Sequence, residues 1–391
     1  MKPKLSLFKL FKHWQSSFFL TFLLGGIFWF WIARNSPATA WDFTEFYIAG
    51  NIPVSSLYDR NVFVAYGIRA LLPLGIEYYP PYVRPAVFTV PLKFLMWLPY
   101  WTAYCAWAFV QFIAYITTIS LLYKRYGFPL IFLMGSAIFY PAMFGIVQGQ
   151  DTCIYALLLV LGLGFLQKGR DITAGSILSL GLYKFNLILL IPVFFILKKR
   201  YRAFVSFAGS GILLAMCSVL LNEPDQYIKL LQNIQAHTIS FSPERMIGVR
   251  GLFHTLKTPF LYFPATCIIV ISSSIAIQRL NMVEAFGVVV IGSIMISYHV
   301  AWYDGALAII PIMLALRKEG RMFKVIPAIM LLFPYWDSYP AVASCMLLAL
   351  LFLFISTIFK PEMGTIPKQS SNTENRTAKV DPGNFHNNKK R

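Results

Sequence analysis

Apolar runs separated by short polar connectors fill most of the sequence. Ten of them, near 16–33, 101–122, 128–147, 152–167, 203–221, 259–277, 284–301, 304–316, 325–335 and 339–358, predict membrane-crossing α-helices. Such a crossing takes about 20 largely apolar residues, fewer where neighbouring protein covers the helix. Two stretches fit a single crossing poorly. The first, 86–98, is short and carries Lys93; the second, 172–197, is too long for one span and has Lys184 at its middle. Both predict re-entrant segments or paired half-helices. The pattern as a whole predicts an all-α, polytopic integral membrane protein of about 10–12 transmembrane helices. No long internal repeat is visible, which weakens an inverted-repeat transporter reading.

Composition agrees with this and removes other classes. Of 391 residues, 58% are hydrophobic and 13% charged, against roughly half apolar and a quarter charged in soluble domains. A water-soluble or a disordered chain is therefore excluded. The formal net charge of +18 would raise nucleic acid as a partner, but the basic residues sit in connectors, not on one groove-forming element. Basic residues collect in cytoplasmic loops of membrane proteins. Placing both termini inside puts 24 of the 34 Lys and Arg residues there, so the charge reads as topology and no nucleic-acid partner is expected. Ten of the sixteen carboxylates then lie outside, mostly in two long outer segments, 34–85 and 222–258. The expected organisation is a basic cytoplasmic N-terminus (1–15), a membrane domain (16–358) and a disordered basic cytoplasmic tail (359–391), in the plasma membrane. Ala38, Thr39 and Ala40 form a signal-like A-x-A sequence, but Arg34 and Asn35 separate it from the apolar run, which favours a retained first helix. Five cysteines lie inside apolar runs without short-spaced pairs, suggesting neither disulfides nor zinc.

Carriers concentrate ionisable groups within their spans; here they gather at the outer mouth. Asp42 and Glu45, three apart after the first helix, would face one way on a helical turn. They suit a general base or a cation contact, or equally a helix cap with an acidic first turn. LYDR (57–60) and EYYPPYVRP (77–85) follow, the latter with prolines that fix an extended turn and tyrosines suited to the interface. Gln148, Gln150 and Asp151 could bond sugar hydroxyls, or Asp151 could cap the next helix. Lys184 in mid-span needs an anion or a cavity: a lipid phosphate, or an acidic residue on a neighbouring helix. Arg250, beside Gly251 and near Arg245 and His254, could clamp a phosphate, or form a salt bridge at the rim. His299 and Tyr303, four apart, would share a face on a continuous helix, with Asp304 starting the next. The outer histidines 237, 254 and 299 lack ligand spacing, so no metal is expected.

The order of these motifs resembles glycosyltransferase family 87: Asp42 with Tyr47 and Ala49-Gly50, then LYD, YYPP leading into VFTVPLKFL, Gly149-Gln150, AGSILSLGLYK, and SYHVAWYD. The resemblance runs over roughly 40–315 and rests on ordered co-occurrence. It implies a GT-C-like membrane mannosyltransferase that uses polyprenyl-phosphate mannose, with no cofactor, and an extracytoplasmic glycolipid or glycan acceptor. By position it implies Asp42 as catalytic base, His299 near the reacting centre and donor phosphate, and Lys184 as the membrane lysine. Phe185 stands where that lysine is usually followed by proline, Asp151 where asparagine is usual, and Glu45 is an additional acid. The expected reaction is a single inverting displacement in which Lys184 and Arg250 meet the donor phosphate. Glu45, Gln150, Asp151, Tyr303 and Asp304 would then contact sugar or acceptor. The competing expectation is a transporter or flippase for a lipid-linked or anionic substrate with Lys184 in its path. A pocket at the outer face favours transfer; a polar path through both faces favours transport.

Overall fold

Each apolar run folds as a helix. The computed structural model describes residues 19, 22–34, 39–240, 242–318, 320–334 and 336–358; residues 1–15 and 359–391, for which a basic terminus and a tail are expected, lie outside the described residues. Helices Phe22–Arg34, Tyr100–Tyr126, Leu130–Gln148, Thr152–Gln167, Tyr201–Leu221, Pro259–Arg279, Met282–Ile296, Trp302–Leu316, Met322–Leu332 and Pro340–Ser356 fall on the ten runs. Four of these, at 100–126, 130–148, 201–221 and 259–279, are long and apolar enough to cross a membrane by themselves. No strand forms among the described residues; Met246 and Ala301 make one isolated bridge. The chain is an integral membrane protein whose described residues form helices and their connectors.

Burial separates centre from perimeter. Every residue of Val283–Ile296 except Glu284 is buried, whereas Tyr201–Leu221 buries only Ala203, Phe207 and Ser218. A helix that is apolar all round but little buried presents its side chains to lipid. The long run 172–197 is a broken hairpin, as expected of paired half-helices. Helix Asp171–Ser179 leads into tight turns over Leu180–Leu187, which break at Lys184 (φ −119°, ψ 59°), and Ile191–Leu197 returns. Its two ends meet where Arg200 Nη1 lies 3.3 Å from Asp171 Oδ1, so the chain comes back to the face it left.

Of the two expectations for 86–98, a re-entrant segment or paired half-helices, no half-helix pair forms: the stretch is one short helical passage, Ala86–Thr89 and Val90–Lys93, followed by turns. Lys93 explains itself: its Nζ lies 3.4 Å from the Gly50 carbonyl and 3.3 Å from that of Ile52, at the negative end of helix Phe43–Asn51.

The outer segments are helical as well. Helix Arg60–Leu71 starts where the Asp59 carboxylate accepts from the backbone N–H groups of Asn61 and Val62. Helix Pro224–Ser240 docks on it: Lys229 Nζ lies 2.9 Å from Asp59 Oδ2, and Asn233 donates to the Tyr58 carbonyl at 3.1 Å. The LYDR motif thus ties the two outer segments together.

Candidate active site

One glycine turn sets the site's geometry. Helix Tyr140–Gln148 ends at Gly149, whose φ of +84° suits a residue without a side chain. A Cβ there would meet the Phe43 Cβ at 2.5 Å, so the first outer helix can seat only on a glycine. Backbone bonds fix the contact: Ala40 N–H to the Val147 carbonyl (2.8 Å) and Asp42 N–H to that of Gln148 (3.0 Å). Asp42 is carried by this docking onto the Gly149–Asp151 turn.

Asp42 and Asp151 both stand at helix N-termini, and neither side chain makes a capping bond. Capping is therefore not their role. The Asp151 carboxylate bridges two cations, Arg84 Nε at 3.0 Å and Lys184 Nζ at 2.9 Å. Arg84 also reaches Glu45 (2.5 Å) and stacks over Phe46 with its guanidinium carbon 4.5 Å from the ring centre. Lys184 also reaches Asp304 Oδ1 at 2.9 Å, which accepts from Thr152 Oγ1 at 3.1 Å. All five charged side chains of this chain of pairs are buried. A buried charge needs a partner of opposite sign, and here each has one.

A cavity of about 780 Å3 opens beside the network. Its walls include Asp42, Glu45, Gln150, Lys184, Tyr303 and Asp304, together with Trp41, Tyr78, Asn186, Arg245 and His299. Asp42 differs from the other carboxylates. It is half-buried, makes no ion pair among the described contacts, and accepts a hydrogen bond from Gln150. Burial raises its pKa to about 6; the Gln150 bond opposes the rise, Glu45 adds to it, and Arg84 and Lys184 oppose it. Burial also raises Glu45, against the attraction of Arg84.

The expected site residues therefore divide. Asp42, Glu45, Gln150, Lys184, His299, Tyr303 and Asp304 share the cavity, and Asp151 lies immediately behind it. Lys184 has the acidic partners that were one of its two readings. Arg250 does not line the cavity: its Nη1 donates to the Tyr298 carbonyl at 2.8 Å and its guanidinium lies 3.6 Å from the centre of that ring. The reason is close packing of the short helix Val249–Thr255, where a Cβ on Gly251 would meet the Met246 carbonyl oxygen at 1.9 Å. The cavity is lined instead by exposed Arg245. His299 and Tyr303 are not on one continuous helix, since helix Met282–Ile296 ends before Ser297 and the next turn starts at Trp302. Asn186 at the hairpin tip donates to the His299 carbonyl (2.5 Å) and to Ser297 Oγ (3.2 Å), which holds that connector against the cavity. Among the described residues, no group of three His, Cys, Asp or Glu side chains is placed to hold a metal. Arg84 is the site residue that sequence reasoning missed; its one signal was its place behind the Pro80-Pro81 turn.

The sequence model of glycosyltransferase family 87 matches residues 79–303, more than half of the chain. The chain belongs to glycosyltransferase family 87. No curated protein and no solved structure gives a significant match. As a family 87 member it is a membrane glycosyltransferase, working with a lipid-linked sugar donor and a glycan acceptor. The matched stretch holds Arg84, Gln150, Asp151, Lys184, His299 and Tyr303, whereas Asp42, Glu45 and Asp304 lie beyond its ends. The family 87 match is narrower than the motif resemblance over 40–315, and the docking at Gly149 brings the unmatched acids to the matched ones.

Proposed function

We propose that this protein transfers a hexose, mannose, from a polyprenyl-phosphate donor to an extracytoplasmic glycolipid or glycan, with inversion and with Asp42 as general base. One observation carries the reading: Asp42 alone among the site's acids faces the cavity without a cationic partner, with a pKa raised to about 6. A general base works best with a pKa near the working pH and in reach of the proton it takes. The acceptor oxygen attacks the anomeric carbon, its proton passes to Asp42, and the bond from that carbon to the phosphate oxygen breaks. The polyprenyl phosphate leaves with the electron pair. A β-linked donor then yields an α-linked product.

The network supports a division of the other roles. Three buried carboxylates against two cations leave an excess of negative charge beside the sugar, which favours the positive charge a glycosyl centre gains as its bond breaks. Glu45, Gln150 and Asp304 offer acceptors and a donor to sugar hydroxyls, with Tyr303 beside them. Lys184 is engaged by two carboxylates and is a positioning residue in this reading; the leaving phosphate is met by Arg245 and His299. Arg250 supports Tyr298. The alternative of a transporter is disfavoured because the cavity-lining residues come from the outer segments, the tip of the broken hairpin and the helix ends that meet them. The reading places the site on the outer face of the plasma membrane with both termini inside.

The test is transfer of label from polyprenyl-phosphate mannose to candidate acceptors by purified protein, with polyprenyl-phosphate glucose and arabinose in parallel. Mannose transfer is expected from wild type and not from Asp42→Asn. Transfer near the wild-type rate in a folded Asp42→Asn protein removes Asp42 as base, and transfer from another donor alone removes mannose.

A further inference from the structure

Two helices that frame the cavity at one end hold a second, chemically different pocket at the other. Thr152 of helix Thr152–Gln167 contacts Lys184, and Tyr104 of helix Tyr100–Tyr126 donates to the Val147 carbonyl beside the site. At 1.5 Å per residue, Arg125 is about 32 Å along its helix from Tyr104, and Lys168 about 24 Å from Thr152. A bilayer's hydrocarbon core is about 30 Å thick. The far pocket therefore lies near the opposite headgroup plane.

Its volume is about 400 Å3, and its lining has two parts. The walls are apolar, with Leu122, Val160, Leu161 and Phe165; the basic lining residues are Lys124, Arg125 and Lys168. Gly164 makes the space, since a Cβ there would lie 3.2 Å from Arg125 Nη1. Among the described residues, no carboxylate lines this pocket. Two acids of this end of the bundle are engaged elsewhere, Asp171 by Arg200 at 3.3 Å and Glu284 by Lys318 at 3.0 Å. We infer that this pocket binds the phosphate headgroup and first methylenes of an anionic membrane lipid, with Arg125 and Lys168 on the phosphate and the leucine-rich walls on the chain. A basic recess between membrane helices is what an anionic headgroup requires, and the guanidinium fork matches phosphate oxygens. This site is independent of the sugar-transfer reading.

Native mass spectrometry of the full-length protein, delipidated and then given equimolar phosphatidylglycerol and phosphatidylcholine, tests the inference. Wild type is expected to prefer phosphatidylglycerol by about tenfold. The triple variant Lys124→Gln/Arg125→Gln/Lys168→Gln should lose the preference, and Arg125→Lys/Lys168→Arg should keep most of it. Leu161→Trp, which fills the recess and spares the cations, should lose bound lipid even if the charge variant fails to fold. Excess inorganic phosphate should leave the bound lipid in place. Equal retention of the two lipids by wild type, preference surviving both the charge and the filling variants, or full displacement by inorganic phosphate each overturns a lipid site.

Discussion

The pH dependence of transfer bears directly on Asp42. If its carboxylate must be ionised to take the acceptor proton, kcat/KM rises with pH along a limb centred on its pKa. With a pKa of about 6, the ionised fraction is about 90% at pH 7 and about 10% at pH 5. The expected fall between those values is about tenfold. An aspartate at the ordinary 3.8 would lose less than about 10% of its ionised form over the same interval. Two substitutions then move the limb in opposite directions. Gln150→Ala removes the hydrogen bond that favours the anion and shifts the midpoint up; Glu45→Gln removes a neighbouring negative charge and shifts it down. The assay is the initial rate of label transfer at subsaturating donor, from pH 4.5 to 8 at constant ionic strength. A flat profile from 5 to 7 would refute the assignment. So would a limb that stays fixed in both variants, which would point to a different titrating group.

Other consequences are separable from that one. A carboxyl whose folded pKa lies above its unfolded value contributes stability that is lost as pH rises from 3.8 through about 6; Asp42→Asn should therefore melt above wild type at pH 8, with the gap shrinking toward pH 4, while transfer is lost. Lys184→Met leaves Asp151 and Asp304 buried without their shared cation, an expected loss of about 3–5 kcal/mol in an unfolding titration; unchanged stability with a raised donor KM would instead make Lys184 the phosphate ligand. Gly149→Ala should cost about 1–2 kcal/mol from its left-handed backbone alone and lower kcat, because the Phe43 contact that seats Asp42 must open. Trp41→Ala should raise acceptor KM and spare donor KM, since Trp41 packs on Tyr78 at 5.8 Å between ring centres beside the proposed base; an effect on donor KM alone would reverse that orientation.

The helices were legible because lipid restricts both the length and the hydropathy of a span, and the broken hairpin because a span that is too long with Lys184 in its centre has few other solutions. The pairing inside the site was not. Arg84 is one of several arginines in outer segments, and a buried guanidinium holding Glu45 and Asp151 has the same sequence as an exposed one. Only the fold brings residue 84 between 45 and 151. For Lys184, both readings required an anion, and sequence spacing does not tell a lipid phosphate from Asp304, 120 positions away. Arg250 failed for a more local reason: which side of a seven-residue helix faces the cavity is decided by the contact of Gly251 with Met246. In 86–98, Lys93 looked like a polar interruption of a span, whereas it closes the end of a helix forty residues earlier.

The charge arrangement also constrains how a donor must lie. Glu45, Asp151 and Asp304 exceed Arg84 and Lys184 by one charge, and Asp42 adds a second when ionised. A phosphate pushed against that group would meet net repulsion in a partly desolvated site, where charges are poorly screened. Arg245, on the Pro243–Arg245 turn near the connector that carries His299, is a cavity-lining cation outside these ion pairs. The favourable orientation therefore points the sugar ring at the carboxylates and the phosphate toward Arg245, with the prenyl chain leading back to lipid. An in-line attack must come from the face opposite the phosphate. In that orientation, this is the side of Asp42, flanked by Trp41 and Tyr78. The buried ion pairs thus keep Lys184 and Arg84 from competing for the phosphate, which favours presenting a lipid-linked sugar with its anomeric carbon toward the proposed base.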